Sequence, residues 1–269
     1  MRFDKEYFNI GYLDSLSYKD TFVHRLDPRA KLIVSFIFIL CVISFTKYEL
    51  SGLLPFFIYP VFLLATGDIP FSAIAKKIAF VSPFAVLIGI FNPILDKDVL
   101  LTFHGIEVTG GWVSFLTILL KFILTVSTAL LLVAVTSFTG LCEALERLKL
   151  PKAFVIQLLF LYRYLFVLLE ETLRMIRARE MRSYGKKGND LKTFIKFISV
   201  LLIRTLERAE RIYQAMLSRG FSGEIKMHRK YKLRIQDILF ALFSVGIFYA
   251  FKQYNIVNVL GRVFEGLFG

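Results

Sequence analysis

Arg177-Ala178-Arg179-Glu180-Met181-Arg182-Ser183-Tyr184-Gly185 and, one helix later, Arg208-Ala209-Glu210-Arg211-Ile212-Tyr213-Gln214-Ala215-Met216-Leu217-Ser218-Arg219-Gly220 decide how the chain is read. Both stretches lie in the block 174–220. Each ends a long helical segment, and each closes on an arginine beside small residues. Almost everything before this block is apolar enough to sit in a bilayer. The apolar part reads as the anchor, and the block as the working surface.

The composition supports that division. Of 269 residues, 56% are hydrophobic and 29 are Phe, and the mean hydropathy is +0.62. An ordinary soluble domain is less apolar than this. The net charge is +13, yet only 20% of residues are charged. Phe138 to Arg234 holds 21 Lys/Arg against 9 Asp/Glu, a net of +12, so nearly all the excess lies in one segment. Such a segment reads as a solvated face on the cytoplasmic side of a membrane. Nucleic acid is not the expected partner, because the flanking apolar spans already give the charge a membrane address. Cys41 and Cys142 have no metal-ligand spacing, and no disulfide is expected between them. The first 27 residues are polar and charge-balanced, unlike an apolar leader.

Taken in order, the chain opens with a cytoplasmic lead-in, 1–29. Asp27 is a natural N-cap with Pro28 at the first helical position. Arg25, Arg29 and Lys31 at this helix mouth mark the cytoplasmic side. Spans are expected at 30–45, 50–66, 78–95 and 112–136, making a four-helix membrane region over 30–136. Lys76 and Lys77 are assigned to a cytoplasmic loop, and Pro55, Pro60, Pro83 and Pro93 to kinked helices. Residues 99–103 and 106–109 can pair as a hairpin around His104-Gly105, with Gly110-Gly111 breaking it. Lys121, inside the fourth span, is expected to snorkel or face the bundle interior.

Residues 137–234 form a cytoplasmic or interfacial region of helices. An amphipathic helix is expected at 137–149. The apolar stretch 153–169 is placed at the inner interface, since crossing would put basic segments on opposite sides of the membrane. It continues as a charged helix to about 183. A second helix, 190–219, carries Leu191, Phe194, Ile195, Ile198, Leu202, Thr205, Ala209, Ile212 and Met216 as one stripe, and Gly220 as its cap. A fifth span, 235–251, leaves the basic side, so 235–269 ends outside. The fold class is an all-α integral membrane protein with about five transmembrane helices and a cytoplasmic domain of long amphipathic helices.

No catalytic constellation accompanies this. There is no Walker-type loop, no His-x-x-x-His pair and no Gly-x-Ser-x-Gly elbow. His24, His104 and His228 are far apart, and Glu170 and Glu171 point to different helix faces. No catalytic residue, cofactor or bound metal is expected, and an integral-membrane enzyme or lipid-handling protein is the weaker reading. The two arginine tips suit docking instead. Glu171, Arg174, Glu207 and Arg211 can hold one another along the helices. Arg182 and Arg219 then remain for bidentate contact with carboxylates of a partner, and Ser183, Ser218 and Gly220 let another backbone come close.

Three motifs resemble those of the transmembrane T component of energy-coupling factor (ECF) transporters, the CbiQ/EcfT family. His24-Arg25-Leu26-Asp27-Pro28-Arg29-Ala30-Lys31-Leu32 resembles its N-terminal signature. Tyr162-Arg163-Tyr164-Leu165-Phe166-Val167-Leu168-Leu169-Glu170-Glu171 is similar to the segment leading into its coupling helices. Ser218-Arg219-Gly220 matches the second of two Ala-Arg-Gly-type motifs, and Met181-Arg182-Ser183 keeps only the arginine of the first. The resemblance implies a non-catalytic subunit of an ABC-type importer in the cell membrane. Its partners would be two cytoplasmic ATPases, one per coupling helix, and a substrate-binding S component. Arg182 and Arg219, flanked by Met181, Ser183, Ser218 and Gly220, would be the ATPase-docking residues. The wording of 162–180 is closest to the cobalt/nickel CbiQ branch; the alternative is a shared vitamin-type scaffold serving several S components.

Overall fold

The computed structural model describes residues 14–96, 99–103, 106–182, 191–221 and 233–253. A short helix α1 (Phe22–Arg25) leads into α2 (Pro28–Ile43). Asp27 caps α2 as its sequence predicts: the Arg29 amide donates to Asp27 Oδ1 at 2.9 Å, with Pro28 at the first turn. Helix α3 (Leu50–Gly67) tightens to a 3-10 turn over Leu54–Phe57, at Pro55. It ends on Asp68 in the left-handed region, φ 50°. Helix α4 (Phe71–Gly89) and the single turn α5 (Asn92–Leu95) follow. The helix start right after Pro70 places Lys76 and Lys77 inside α4 rather than in a loop.

The expected hairpin forms: β1 (Val99–Phe103) pairs antiparallel with β2 (Ile106–Thr109). These are the sole strands among the described residues. Gly110 and Gly111 end it, as expected, and open α6 (Gly110–Val135). A Cβ on Gly111 would lie 2.6 Å from the Asn92 carbonyl oxygen and from Pro93 Cα, so glycine lets α6 start against the backbone of α5. After α6 come α7 (Phe138–Arg147), α8 (Lys152–Arg182), α9 (Leu191–Leu217) and α10 (Ile235–Gln253).

The chain divides into two units. The first holds α2–α6 and α10, with α7 up to Ala144; the second, Leu145–Lys230, holds α8 and α9. In the first, α2 packs along α6 and α10. Its buried residues Val34, Phe38 and Val42 recur every four positions, the spacing that keeps one face of a helix inward. Phe38 meets Phe56, Tyr59 and Phe248 with ring centroids 5.7, 4.9 and 5.2 Å apart. In lipid, where helix surfaces gain nothing from leaving water, such close packing is what holds helices together. Ring pairs at these separations add about 0.5–1.5 kcal/mol each beyond burial.

Five helical segments are long and apolar enough to cross a membrane: Leu50–Gly67, Phe71–Ile94, Gly110–Val135, Lys152–Arg182 and Ile235–Gln253. The chain is an all-α integral membrane protein. Helix α2 has 16 residues and so reaches about 24 Å, short for a span by itself. Helix α8 runs on from its apolar into its charged half, as expected, for 31 residues, about 46 Å.

Candidate partner-docking surface and its buried root

The second unit is built from two long helices that bury little of themselves. Val155 is the one buried residue of α8 among those described. On α9, Ile195, Ile198 and Leu202 of the apolar stripe are 55%, 45% and 58% exposed, while Thr205, Ile212 and Met216 farther along it are half-buried. The two helices are tied to each other by Glu171. Its carboxylate accepts from Arg204 Nη1 at 3.2 Å and lies 3.9 Å from Arg174. Within each helix, Glu170 pairs with Arg174 at 3.2 Å and Glu207 with Arg211 at 3.7 Å. Of the expected contacts, Glu207 with Arg211 forms and Arg174 lies within 3.9 Å of Glu171, while the closer Glu170–Arg174 pair and the link across helices, Glu171 to Arg204, are additions.

Both arginine tips stand clear. Arg182 is the last residue of α8 and exposed, beside Met181 at 77% exposure. Ser183 lies outside the described residues. Arg219 is exposed as well, and among the described residues neither guanidinium forms an ion pair. The end of α9 is a Schellman cap. The Phe221 amide donates to the Met216 carbonyl at 3.0 Å, and the Gly220 amide to the Leu217 carbonyl at 2.9 Å. Gly220 has φ 78°, and a Cβ there would meet nothing within 4 Å. Glycine is therefore required by the turn, not by a close neighbour in this chain. Ser218 turns its hydroxyl back to the Gln214 carbonyl at 2.9 Å. The cap fixes where α9 stops and so where Arg219 is presented.

The N-terminal signature lies elsewhere, in the first unit, and makes a buried polar cluster. Asp27 and Lys31, one helical turn apart, are 2% and 3% exposed. Lys31 Nζ donates to the carbonyl of Val135, the last residue of α6, at 2.8 Å. A cation at a helix C-terminus is stabilised by the carbonyls and dipole there. Its charge is also answered by Asp27 and Asp237. Asp237, 3% exposed, accepts from the Asp27 amide at 2.8 Å and from the Arg234 amide at 2.7 Å. The second bond is half of a capping box at the start of α10. Arg29 Nε lies 3.8 Å from Asp27. Beside the cluster, the Phe138 amide donates to Asp14 Oδ1 at 2.9 Å and the Gly140 amide to Ser137 Oγ at 3.1 Å, starting α7. His24 Nδ1 shares a hydrogen bond with Thr21 Oγ1 at 2.8 Å, and burial, followed by the Lys31 charge, pushes the imidazole below the ordinary histidine value.

At the other end of the bundle the same device recurs in reverse. Lys121, from the middle of α6, donates to the Phe45 carbonyl at 2.6 Å and the Ile43 carbonyl at 3.3 Å, at the C-terminus of α2. Lys252 of α10 reaches Ser44 Oγ at 2.8 Å. Two antiparallel helices thus each place a lysine on the other's C-terminus. Lys121 is half-buried, and its partners are carbonyls.

Burial of Lys31 also revises the mark at the mouth of α2. Arg25 pairs with Asp20 at 2.7 Å on the surface, Arg29 leans on Asp27, and Lys31 is inside. Asp237 escaped the sequence reading, although its place as the third residue of a helix that follows Arg234 was the available signal.

The chain matches the CbiQ family, described as cobalt transport protein, over residues 19–231. It is 32% identical over 235 residues to an uncharacterised protein of Methanocaldococcus jannaschii, covering 84% of this chain and 80% of that one. It is 31% identical over 237 residues to the energy-coupling factor transporter transmembrane protein EcfT of Staphylococcus aureus, covering 82% and 88%. A shorter match, 37% over 89 residues, covers 33% of this chain and 15% of a putative fused cobalt transport protein CbiMQ of Methanocorpusculum labreanum. With the family matched over most of its length, the chain belongs to the CbiQ family of transmembrane components of energy-coupling factor transporters.

Proposed function

We propose that this chain is the scaffold of an ECF-type ABC importer, with α8 and α9 as levers that receive two cytoplasmic ATPases at Arg182 and Arg219. ATP-driven closure of the ATPases shifts the levers, and the shift reorients a substrate-binding S component. The chain supplies linkage and no hydrolytic chemistry. The observation that carries this reading is the pair of exposed helix ends, each with an arginine that forms no ion pair among the described residues, on two helices that bury only Val155 among those residues. Two similar tips suit a pair of similar partners, and a basic surface suits acidic ones.

The membrane arrangement proposed is a cytoplasmic lead-in (1–29), a bundle (30–136), a cytoplasmic or interfacial lever region (137–234) and a final helix (235–269) ending outside. Parity supports it. The end of α6 and the start of α10 share one buried cluster, through Lys31 and Asp27, so the chain between them crosses the membrane an even number of times. Helix α9 is not among the segments apolar enough to cross. Helix α8 then has no partner to bring the chain back and stays on the side where it began, which fits the basic excess of 138–234.

For the substrate, cobalt or nickel ion is the reading, with cobalt favoured by the family description and the fused cobalt-transport relative. A vitamin-type scaffold serving several S components is the alternative, and the several relatives named EcfT, whose names carry no metal, keep it open. Affinity purification of the tagged chain from its own membranes tests the function. Two ATPase subunits should be recovered with it, together with an S component whose ligand names the substrate. Recovery of the chain without any ATPase would sink the transporter reading.

A further inference from the structure

The two connections that join α8 and α9 to the bundle both meet the cluster of Asp27, Lys31 and Asp237. The chain leaves the bundle at the end of α6. There Lys31 holds the Val135 carbonyl at 2.8 Å, Asp14 holds the Phe138 amide at 2.9 Å, and Ser137 caps α7. It returns at Arg234, whose amide is held by Asp237 at 2.7 Å, and Asp237 is held in turn by the Asp27 amide at 2.8 Å. Exit and return are thus pinned to the first turn of one helix, α2, by charged groups that are 2–3% exposed. A surface contact could slip at little cost. These cannot, because parting either carboxylate from its donors leaves a charge buried and unpaired.

We propose that Asp27, Lys31 and Asp237 are positioning residues for the transport cycle: they form the root of the lever pair, so that a displacement of α8 and α9 is delivered to α2, α6 and α10 instead of being absorbed in the connections. This rests on the lever reading above. The alternative role for such a cluster is to stabilise the fold and nothing more. The two differ in what survives when the cluster is weakened. A root is lost as a transmitter while the tips still dock; a purely structural contact, once lost, lowers the amount of assembled complex and leaves each assembled complex normal.

The test uses the full chain purified with its ATPases in lipid nanodiscs. Spin labels are attached at Phe80→Cys on α4 and Tyr213→Cys on α9, both exposed, in a Cys41→Ser, Cys142→Ala background. The label separation is measured with and without ATP. In the otherwise unaltered chain it should shift with nucleotide. In Asp237→Ala the ATPases should still co-purify and hydrolyse ATP, but the separation should broaden and the nucleotide-driven shift should be lost. Asp237→Asn, which keeps one of the two acceptors, should give an intermediate width and shift, and it serves also if the alanine variant fails to accumulate. A full shift of unchanged width in either variant would overturn the root assignment while leaving the lever reading intact. No shift in the unaltered chain with ATPases bound would overturn both.

Discussion

Replacing Lys31 by methionine is the sharpest test of how the bundle is held. The substitution keeps the length and apolar stem of the side chain and removes only the ammonium. Three consequences follow from the geometry. The Val135 carbonyl loses a donor at 2.8 Å, the C-terminus of α6 loses its cation, and Asp27 and Asp237 lose their buried counter-charge. Lys31 is 3% exposed, so water does not replace what is lost. Removing one partner of a buried ionic cluster costs about 3–5 kcal/mol. Lys121→Met is the internal control. It too strips a helix C-terminus of its lysine, but the carboxylate that answers it, Glu49, is exposed to water, so the loss is that of a capping cation, about 1–2 kcal/mol. Stability is read from unfolding in mixed micelles as the SDS fraction rises, followed by circular dichroism. The double variant Lys31→Met, Asp237→Asn should recover about 1 kcal/mol or more, because neutralising one carboxylate removes part of what the single variant leaves uncompensated. If Lys31→Met costs no more than Lys121→Met, or the double variant shows no recovery, the buried cluster is not an ionic one and the reasoning fails.

Three further outcomes are expected. Arg182→Ala with Arg219→Ala should leave membrane insertion intact and abolish ATP-driven uptake, the loss of a buried charged contact of about 3–5 kcal/mol being a drop of roughly a hundredfold or more in docking; uptake at the unaltered rate refutes the anchor assignment. Lys149 is held at φ 68° by a Schellman cap, with the Leu150 amide donating to the Leu145 carbonyl at 3.2 Å, so Lys149→Gly should stabilise the chain by about 1 kcal/mol, and a loss would refute the strain. His24 has its folded value depressed by burial, so the unfolded chain binds the proton more readily. Stability should therefore be complete above the ordinary histidine value of 6.5 and decline as pH falls below it, and His24→Gln should remove that part of the decline.

What was legible in the sequence was whatever is decided within a few residues. The Asp27-Pro28 start of α2, the hairpin on either side of His104-Gly105 and the glycine cap after α9 are each fixed by local backbone chemistry. So is the family resemblance, whose motifs are short and contiguous. The pair of Glu207 with Arg211 belongs here too, since four residues along a helix is one turn. What was not legible depends on partners distant in the chain. Glu171 and Arg204 are 33 residues apart, Lys121 and Phe45 are 76, Lys31 and Val135 are 104, and Asp27 and Asp237 are 210. No periodicity carries that information.

Lys31 shows why the distinction matters for membrane proteins. A lysine four residues into an apolar helix gives one sequence signal for two physical situations. It can reach back to the headgroups and count toward the charge bias that orients the chain, or it can turn inward and neutralise a neighbouring helix end. Only the second is compatible with 3% exposure and a carbonyl at 2.8 Å. The cations at the mouth of α2 therefore carry less orienting weight than their number suggests, since Arg25 and Arg29 also face carboxylates of their own. The orienting charge must come from 138–234, where 21 cations face 9 anions and the helices are largely exposed. In the proposed function the same segment sets which way the bundle faces and presents the docking surface. Neutralising basic residues of this region away from Arg182 and Arg219 should then disturb the orientation of the whole chain, while neutralising Lys31 should cost stability and leave orientation unchanged. Cysteine accessibility at the two ends of α10 distinguishes these outcomes, and an inverted Lys31→Met chain would show that the buried lysine orients after all.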